Sequence, residues 1–313
     1  MPEPIVYFDG RFVPDSAAKL PVLTHCLHYG TGVFEGIRAY FDPSTGDSLL
    51  FRPLDHFERM GHNVGILKIH LPHLPASLVE IACELVRMNR PTTDMYVRPL
   101  AYKAGQKIGV TLPDEDGFLM VTVPMGQYLD TTKGLSCCVS SWRRLQDNSI
   151  PCRAKICGAY VNSALAAQEA RDRGFDEAIF LNEAGHVAEG SAENIFLVRG
   201  GRLVTPDVSQ GILEGITRDT VMTLAREGMD IATDQRVVDR TELYVADEIF
   251  FTGTAAQIAP VTKVDGRVVG TGAPGPISTA LQGAYERLVR GGAPDHERWL
   301  RRVTHLAAAG ERR

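Results

Sequence analysis

Residues 188–196, "AEGSAENIF", place a glutamate at the end of one apolar run and an asparagine at the start of the next. The residues between Glu189 and Asn194 are mostly small, a pattern typical of a tight turn between two strands. A glutamate in such a turn is most often an exposed surface residue. The function of Glu189 therefore depends on which other parts of the chain can join it.

A lysine is the first candidate to join this glutamate. The stretch "IPCRAKICGAY", residues 150–160, sets Lys155 among small residues and cysteines. The strand-like run "GLSCCVSSW" precedes it and the helical pattern "AYVNSALAAQEARDRG" follows it. Most lysines lie on the surface. An amine at the joint of a strand and a helix can instead act as a nucleophile when its surroundings keep it partly neutral.

Two further turns are suited to binding an anion. "LEGITRD", residues 213–219, puts Gly215 and Ile216 just before a predicted helix that Thr217 caps. The first N–H groups of a helix are unpaired and bind phosphate well. "FTGTAAQ", residues 251–257, predicts a second turn with the hydroxyls of Thr252 and Thr254. Singly, each is more often an ordinary cap or turn. Together, a lysine, a carboxylate and a phosphate cradle are what pyridoxal phosphate requires.

The same stretches carry a resemblance. The chain is similar to the class IV aminotransferase signature in the order Glu189, Ser191, Asn194-Ile195-Phe196, Leu203-x-Thr205 and Leu213-x-Gly215-Ile216-x-Arg218. Within this class it resembles the branched-chain amino acid aminotransferases, through "LHYGTGVFEGIRAY", "YVRPL", "SSW", "AKICGAY" and "LYVADEIFFTGTAAQIAPV". The resemblance implies fold-type IV, an α/β chain of mixed α+β character. It also implies two domains with the cofactor at their interface, and a homodimer or higher homo-oligomer.

The resemblance also implies roles for individual residues. Lys155 is the expected catalytic residue and forms the Schiff base, Tyr160 bonds the cofactor's phenolic oxygen, and Glu189 is the partner of its pyridine nitrogen. The expected phosphate contacts are Arg59, Ile216, Thr217 and Thr254. Tyr96 and the turn amides of Thr254, Ala255 and Ala256 are expected to bind the substrate's α-carboxylate. Arg98 is expected to bind the side-chain carboxylate of glutamate. The side-chain pocket is expected to be lined by Phe34, Gly36, Arg38 and, from the other subunit, Tyr29.

The implied reaction is transamination between branched-chain L-amino acids (leucine, isoleucine, valine) and 2-oxoglutarate, giving branched 2-oxo acids and L-glutamate. Related class IV enzymes share the cofactor site: D-amino acid and (R)-amine transaminases and aminodeoxychorismate lyase. The D-amino acid enzymes resemble Arg-x-His where this chain has "RPL", residues 98–100, and the lyase is not expected to carry "YVR", residues 96–98. Met125 stands where some members have tryptophan, so the preferred amino donor stays open, as does the pathway that the enzyme serves.

Two other classes of function compete. "GTGAPG", residues 270–275, matches the dinucleotide fingerprint, but Pro274 lies inside the turn and no βαβ unit can follow it. A nicotinamide oxidoreductase is therefore disfavoured. A protein that only binds the cofactor would need neither Lys155 nor Glu189.

Composition excludes several kinds of partner. The chain has 313 residues, 44% hydrophobic and 23% charged, with a net charge of −5 and no long basic run, which argues against nucleic acid. No apolar run approaches the roughly 18 residues of a membrane span, and no secretory leader pattern opens the chain. The six cysteines form no CxxC pair, so we expect no metal site and reduced thiols in the cytoplasm.

Length and punctuation predict two domains. We expect a small α/β domain over residues 1–123, an interdomain loop over the polar, turn-rich residues 124–134, and a larger cofactor-binding domain over 135–313. Hairpins are predicted at Asp9-Gly10, Ala184-Gly185 and Gly200-Gly201, where turn residues separate apolar runs.

Overall fold

The computed structural model describes residues 3–126 and 133–305. The chain divides into two compact units: the first comprises Met1–Gly126 and Arg287–Arg313, and the second comprises Gln127–Glu286. Residues 127–132, the middle of the predicted interdomain loop, lie outside the described residues.

Strands and short turns dominate both units. The strands are β1 (Ile5–Phe8), β2 (Arg11–Pro14), β3 (Gly32–Phe34), β4 (Ile37–Phe41), β5 (Ser48–Phe51), β6 (Met95–Lys103), β7 (Asp116–Pro124), β8 (Leu135–Arg143), β9 (Glu177–Leu181), β10 (Val187–Gly190), β11 (Asn194–Arg199), β12 (Arg202–Pro206), β13 (Thr233–Arg236), β14 (Glu248–Gly253), β15 (Gln257–Val264), β16 (Arg267–Val268) and β17 (Leu300–Val303). The α-helices are α1 (His25–Tyr29), α2 (Pro53–Val64), α3 (Pro75–Asn89), α4 (Tyr160–Asp172), α5 (Ile216–Met229) and α6 (Pro276–Val289).

The first unit is built on an antiparallel sheet in the order β17-β5-β4-β6-β7-β1-β2, with β3 also paired to β6. Helices α2 and α3 pack together beside it. A proline opens each helix, where its missing N–H costs nothing. The buried positions of α3, among them Leu78, Ala82 and Leu85, recur at helical spacing. The long central strand β6 places Tyr96 and Arg98 on one face, because side chains alternate along a strand.

The end of the chain departs from the predicted domain boundary. The sequence interpretation assigned residues 135–313 to one domain, whereas residues from Arg287 onward belong to the first unit. The reason is strand pairing: β17 adds to the edge of the first sheet, with Leu300 opposite Phe51 and Val303 opposite Ser48. A strand of four residues with two exposed arginines carries too little apolar pattern to reveal such a pairing from the sequence.

The second unit contains a mixed sheet in the order β10-β9-β8-β15-β14-β11-β12-β13, with β16 paired to β15. Strand β8 is parallel to both β9 and β15, and β12 is parallel to β13, while the other pairs are antiparallel. The hairpins predicted from the sequence are present as β1–β2 in the first unit and as β9–β10 and β11–β12 in the second. The sheet interior is apolar and includes a stacked pair of rings, Phe196 and Phe250, 5.1 Å apart.

The glycine-rich stretch 270–275 lies in a loop between the two-residue strand β16 and helix α6. The N-terminus of α6 is already occupied by a carboxylate of the chain. Buried Glu248 accepts hydrogen bonds from the backbone N–H groups of Ile277 and Ser278 and from the Ser278 hydroxyl. This stretch therefore lacks both the parallel strand and the open helix terminus of a dinucleotide site.

Four of the six cysteines, Cys83, Cys137, Cys138 and Cys152, are buried thiols. Within residues 3–126 and 133–305, none of the helices combines the length and the apolar character that a membrane crossing requires.

Candidate active site

Glu189 is a buried carboxylate with three hydrogen-bond donors around it. It lies in strand β10, and its side chain is only 4% exposed. Oε1 lies 2.7 Å from the guanidinium of Arg144, and Oε2 accepts bonds from Asn194 Nδ2 at 2.9 Å and from the Leu213 N–H at 3.1 Å. Burial raises the pKa of this carboxyl, while Arg144, the Leu213 N–H and Lys155 oppose the shift.

Asn194 connects this carboxylate to the start of helix α5. Its Nδ2 also donates to the Leu213 carbonyl at 2.9 Å. A side chain on Gly215 would collide with Asn194 Oδ1, so only glycine lets the chain pass here. The predicted cap at Thr217 is wrong: Gly215 is the N-cap, α5 begins at Ile216, and Thr217 lies in the first turn. The helix N-terminus therefore starts beside the partners of Glu189.

Lys155 lies just before helix α4 in the irregular segment that follows β8. Its Nζ donates to the hydroxyl of Tyr160 at 2.8 Å. A short 3-10 turn, Cys157–Ala159, leads into α4 and brings these two side chains together. The amine and the phenol are thus held on a rigid helix start.

The predicted anion-binding turn at residues 254–256 connects β14 and β15, with Gly253 opposite Gln257. Gln257 closes this three-residue hairpin loop with a left-handed backbone, φ 57°. Thr252, just before the turn, pairs across the sheet with Asn194 and so shares its face. Among the described residues, the buried Oγ1 of Thr252 finds no hydrogen-bond partner.

The first unit brings Phe34, Tyr96 and Arg98 together. The Arg98 guanidinium lies over the ring of Phe34 at 4.4 Å and donates to the Tyr96 hydroxyl at 3.0 Å. Its buried Nε has no hydrogen-bond partner among the described residues. A side chain on Gly36 would collide with the Tyr96 hydroxyl, so this glycine makes room for the tyrosine. A cation therefore lies against aromatic rings with one donor still to satisfy.

Arg38 is buried in the same unit. Its NH2 group lies 3.3 Å from Asp94 Oδ2 and also donates to the carbonyls of Met125 and Gly126. Asp94 is shared with Arg290, which binds it through two nitrogens. Arg38 therefore holds the chain where the predicted interdomain loop begins.

Arg59 lies on α2 and is held by a buried carboxylate. Its Nε and NH2 groups both lie 2.7 Å from the two oxygens of Glu35, and His56 Nδ1 lies 2.8 Å from Oε2. Although burial opposes ionisation, Arg59 and His56 keep the pKa of Glu35 well below its usual range. The two-nitrogen contact fixes the plane of the guanidinium.

Tyr29 ends helix α1, and its hydroxyl accepts a hydrogen bond from the Gly109 N–H at 2.9 Å. The His25 ring lies 4.5 Å from its ring and bonds the Gly109 carbonyl through Nε2. The α1 segment and the loop around Gly109 are therefore tied into one surface.

The predicted site residues thus fall into two groups. Those in the first unit are Tyr29, Phe34, Gly36, Arg38, Arg59, Tyr96 and Arg98, and those in the second are Lys155, Tyr160, Glu189, Ile216, Thr217, Thr254, Ala255 and Ala256. The structure joins Lys155 to Tyr160, and Phe34 to Arg98 and Tyr96.

Comparison with known proteins gives the family. A family model described as amino-transferase class IV matches residues 32–264. The chain belongs to the class IV aminotransferases. The probable branched-chain-amino-acid aminotransferase of Aquifex aeolicus is 44% identical over 295 residues, which cover 94% of this chain and 95% of that protein. This relationship places the aminotransferase among the branched-chain amino acid aminotransferases and confirms the expected family.

Two solved structures are similar throughout. One is the branched-chain aminotransferase of the thermophilic archaeon Thermoproteus uzoniensis with norvaline, with a TM-score of 0.91 and 42% identity, covering 96% of this chain and 99% of that one. The other is a T.th. branched-chain amino acid aminotransferase complexed with N-(5'-phosphopyridoxyl)-L-glutamate, with a TM-score of 0.91, 40% identity and the same coverage. The expected fold-type IV architecture is confirmed, and the aminotransferase uses pyridoxal phosphate.

The residues present fit this cofactor. Lys155 offers an amine next to a phenol, Glu189 offers a buried acceptor, and α5 begins at a glycine that has no side chain to cap it. The partnerless Thr252 hydroxyl lies on the same face of the sheet as Asn194, according to the described residues. A buried polar atom without a partner is expected where a bound group completes it.

Sequence reasoning missed two residues that contact predicted site residues, Arg144 beside Glu189 and Glu35 beside Arg59. Arg144 follows Arg143 directly, and nothing in "SSWRR" shows which arginine turns inward. Glu35 stands in "VFEGIRAY" with no pattern that pairs it with Arg59.

Two further buried carboxyls lie close to Glu189 in sequence or space. Glu193 accepts a bond from the Ala192 N–H, and Glu177 accepts one from the Ala178 N–H. Burial, reinforced by Glu177, raises the pKa of Glu193 to about 8. Burial also raises the pKa of Glu177. Unlike Glu189, neither has an arginine partner within the described part of the chain, so Glu193 keeps its proton at neutral pH.

The raised pKa of Glu193 predicts a pH-dependent stability. The folded chain binds this proton more tightly than the unfolded chain, whose glutamates titrate near 4.5. The contribution of Glu193 is therefore fully present below about pH 4.5 and is lost as the pH rises through about 8. Glu193→Gln, which is always neutral, should gain urea stability relative to the natural chain between about pH 4.5 and about 8, and the difference should level off above about pH 8, where Glu193 is ionised in both the folded and the unfolded chain.

Glu183→Gln, in the exposed β9–β10 turn, is the matched control and should follow the natural chain. Urea midpoints of the three proteins measured against pH provide the check. Parallel curves for Glu193→Gln and the natural chain would show that Glu193 is ionised in the fold.

Proposed function

We propose that this aminotransferase transfers the amino group of branched-chain L-amino acids to 2-oxoglutarate, giving branched 2-oxo acids and L-glutamate. The observation that carries the proposal is the arrangement of Arg98 over the ring of Phe34 and beside Tyr96. The rings suit an apolar side chain, and the Nε of Arg98, unsatisfied among the described residues, suits a carboxylate. One pocket can then accept both partners of the reaction.

The related structures support this substrate pair. One was solved with norvaline, which has an apolar side chain, and the other with a glutamate adduct of the cofactor. The Aquifex aeolicus relative also carries the branched-chain name. D-amino acid or (R)-amine transamination and the lyase reaction, which share the cofactor, are not favoured by these relatives.

The chemistry is divided between the cofactor and the chain. When bound, pyridoxal phosphate supplies an aldehyde that forms a covalent bond with an amine and a ring that accepts electrons. We infer that Nζ of Lys155 is that amine and then the base that moves the proton between the substrate's Cα and the cofactor's C4′. The Tyr160 hydroxyl, 2.8 Å away, orients Nζ.

Binding and orientation are assigned to the other site residues. Glu189 would accept a hydrogen bond from the ring nitrogen and would favour a proton there. Ile216 and Thr217 in the first turn of α5, and Thr254, would hold the phosphate, because unpaired N–H groups at a helix start favour an anion. Arg59, whose guanidinium plane Glu35 fixes, would supply a further phosphate contact. Tyr96 and the turn amides of Thr254, Ala255 and Ala256 bind the α-carboxylate, while Gly36 and Arg38 shape the side-chain pocket.

Lys155→Ala tests the catalytic assignment. The natural protein should be yellow, and borohydride should fix the cofactor to Lys155, where peptide mapping finds it. Lys155→Ala should not form this linkage, because the substitution removes the amine that is held beside Tyr160. Lys263→Ala, which removes an exposed lysine of β15, is the control and should behave like the natural protein. A reducible linkage to another lysine in Lys155→Ala would overturn the assignment.

Arg98→Ala tests the substrate proposal. A hydrogen bond to a charged group contributes roughly 1.5–3 kcal/mol, so its loss should raise KM for 2-oxoglutarate about ten- to a hundredfold. The leucine half-reaction should change less. Arg98→Met, which keeps an unbranched apolar side chain without the guanidinium, should reproduce the selective loss. Single-turnover rates of both half-reactions provide the measurement, and equal losses for leucine and glutamate would show that Arg98 only holds the fold.

We further infer that the aminotransferase is a homodimer in which Tyr29 contributes to the partner's pocket. The surface formed by α1 and the loop of residues 105–110 exposes Val22, Leu27, Ile108 and Val110, at 82, 61, 69 and 82%. Apolar side chains this exposed, on segments fixed by hydrogen bonds, mark a protein interface. The same surface holds Tyr29, and symmetric pairing would bring it to the second copy.

Val110→Lys should therefore dissociate the dimer and lower activity, because a charge cannot be buried there unpaired. Val245→Lys changes an equally apolar residue, 61% exposed, outside this surface and should leave the dimer intact. Sedimentation velocity separates the two results. A fully active monomer of the natural chain would contradict the proposal.

We also place the enzyme in the cytoplasm, which its buried thiols support.

A further inference from the structure

Arg144 forms a buried ion pair with Glu189 in the described part of the chain. It directly follows β8, and its side chain is 10% exposed. The guanidinium lies 2.7 Å from Glu189 Oε1, 5.5 Å from the ring of Phe180, and its Nε donates to the Gly211 carbonyl at 3.4 Å. These contacts hold the cation in one orientation.

The donors around Glu189 favour its ionised form and oppose the effect of burial, which raises its pKa. An ionised carboxylate accepts about four hydrogen bonds, and Arg144, Asn194 and the Leu213 N–H use three of these positions. The Asn194 amide cannot turn over without loss, because its Nδ2 faces two acceptors, Glu189 and the Leu213 carbonyl. Backbone N–H and guanidinium are donors only. The fourth position, on Oε1, suits one further donor when the carboxylate is ionised.

We propose that Arg144 is the positioning residue that keeps Glu189 ionised and facing the cofactor, so that the ring nitrogen retains its proton throughout the reaction. This inference rests on the proposed contact between Glu189 and the ring nitrogen. It assigns to Arg144 a role through Glu189, with no contact to substrate or cofactor of its own.

The other charges near Glu189 cannot replace Arg144. Among the described residues, Glu189 interacts electrostatically with Arg144, Lys155, Cys152, Glu193 and Arg218. Lys155 exchanges protons in the proposed reaction, so its charge is not constant. Glu193 and Cys152 supply no positive charge, and Arg218 is bonded to Thr205, Pro206 and Gln235. Arginine does not deprotonate in proteins, so the charge beside Glu189 stays fixed while that of Lys155 changes.

The experiment follows the ring nitrogen directly in the holoenzyme. Pyridoxal phosphate labelled with ¹⁵N in the ring is loaded into the natural chain, Arg144→Met, Arg144→Lys and Arg143→Met. Methionine keeps much of the bulk without the charge, and lysine keeps the charge without the planar guanidinium. Arg143→Met is the matched control, because Arg143 is the exposed neighbour. The ¹⁵N chemical shift is recorded from about pH 6 to about pH 9, on either side of neutrality.

The natural chain and Arg143→Met should show a protonated ring nitrogen across the range. In Arg144→Met the resonance should move towards the neutral ring, because the proton passes to Glu189, and Arg144→Lys should fall between them. A resonance in Arg144→Met equal to that of the natural chain would overturn the inference. If the resonance is unchanged in both Arg144→Met and Glu189→Gln, the proposed contact between Glu189 and the ring nitrogen is wrong as well. If it changes in Glu189→Gln but not in Arg144→Met, only the role of Arg144 is wrong.

A second measurement covers variants that lose the cofactor. The protonated-carboxyl infrared band of Glu189 is obtained for the full chain as the difference from the same chain carrying Glu189→Gln. Removing an opposite charge within about 4–6 Å typically moves a titration by about 1–3 pH units. The band should therefore persist to higher pH by at least about one unit in Arg144→Met. Titration at the same pH as in the natural chain would refute the inference.

Discussion

The burial of the Glu189 carboxyl is the constraint on which the structure around it depends. A carboxylate removed from water is costly unless donors surround it, and here the donors come from three separate parts of the chain. Arg144 comes from the end of β8, Asn194 from the start of β11, and the Leu213 N–H from the segment that leads into α5. Satisfying one charge therefore fixes where a strand ends, where another begins and where a helix starts.

Three buried carboxyl groups show how the surroundings decide chemical state. Glu189 is bonded to an arginine and to two N–H donors, whereas the pKa of Glu193 is raised by burial and by the neighbouring carboxyl of Glu177. Glu35, in the other unit, is as buried as these two, yet its arginine and histidine partners lower its pKa. All three residues are glutamates, so their different surroundings account for the difference: Glu189 is a hydrogen-bond acceptor, Glu193 has a raised pKa and Glu35 a lowered one.

Local patterns carried much of the prediction. Glycine-containing turns marked the hairpins, and the helical pattern after Lys155 marked α4. The family resemblance named Glu189, at the head of the class IV signature, and Lys155 and Tyr160, within "AKICGAY". Contacts between residues far apart in the sequence could not be predicted. Arg144 contacts Glu189, and Arg59 contacts Glu35, only in the folded chain. Thr217 was predicted as the helix cap for a similar reason: the contact that requires glycine at the true N-cap, position 215, is made with the distant residue Asn194.

The pairing of β17 with β5 has a consequence for how the protein is made in the cell. The ribosome completes β5 early, but its partner, β17, emerges only after the whole second unit has been synthesised. During that interval the newborn first sheet presents an unpaired edge, which includes Leu49, Leu50 and Phe51, to any other chain. Nascent chains on crowded polysomes are then exposed to edge-to-edge aggregation, and a chaperone that shields this strand would protect them until translation ends.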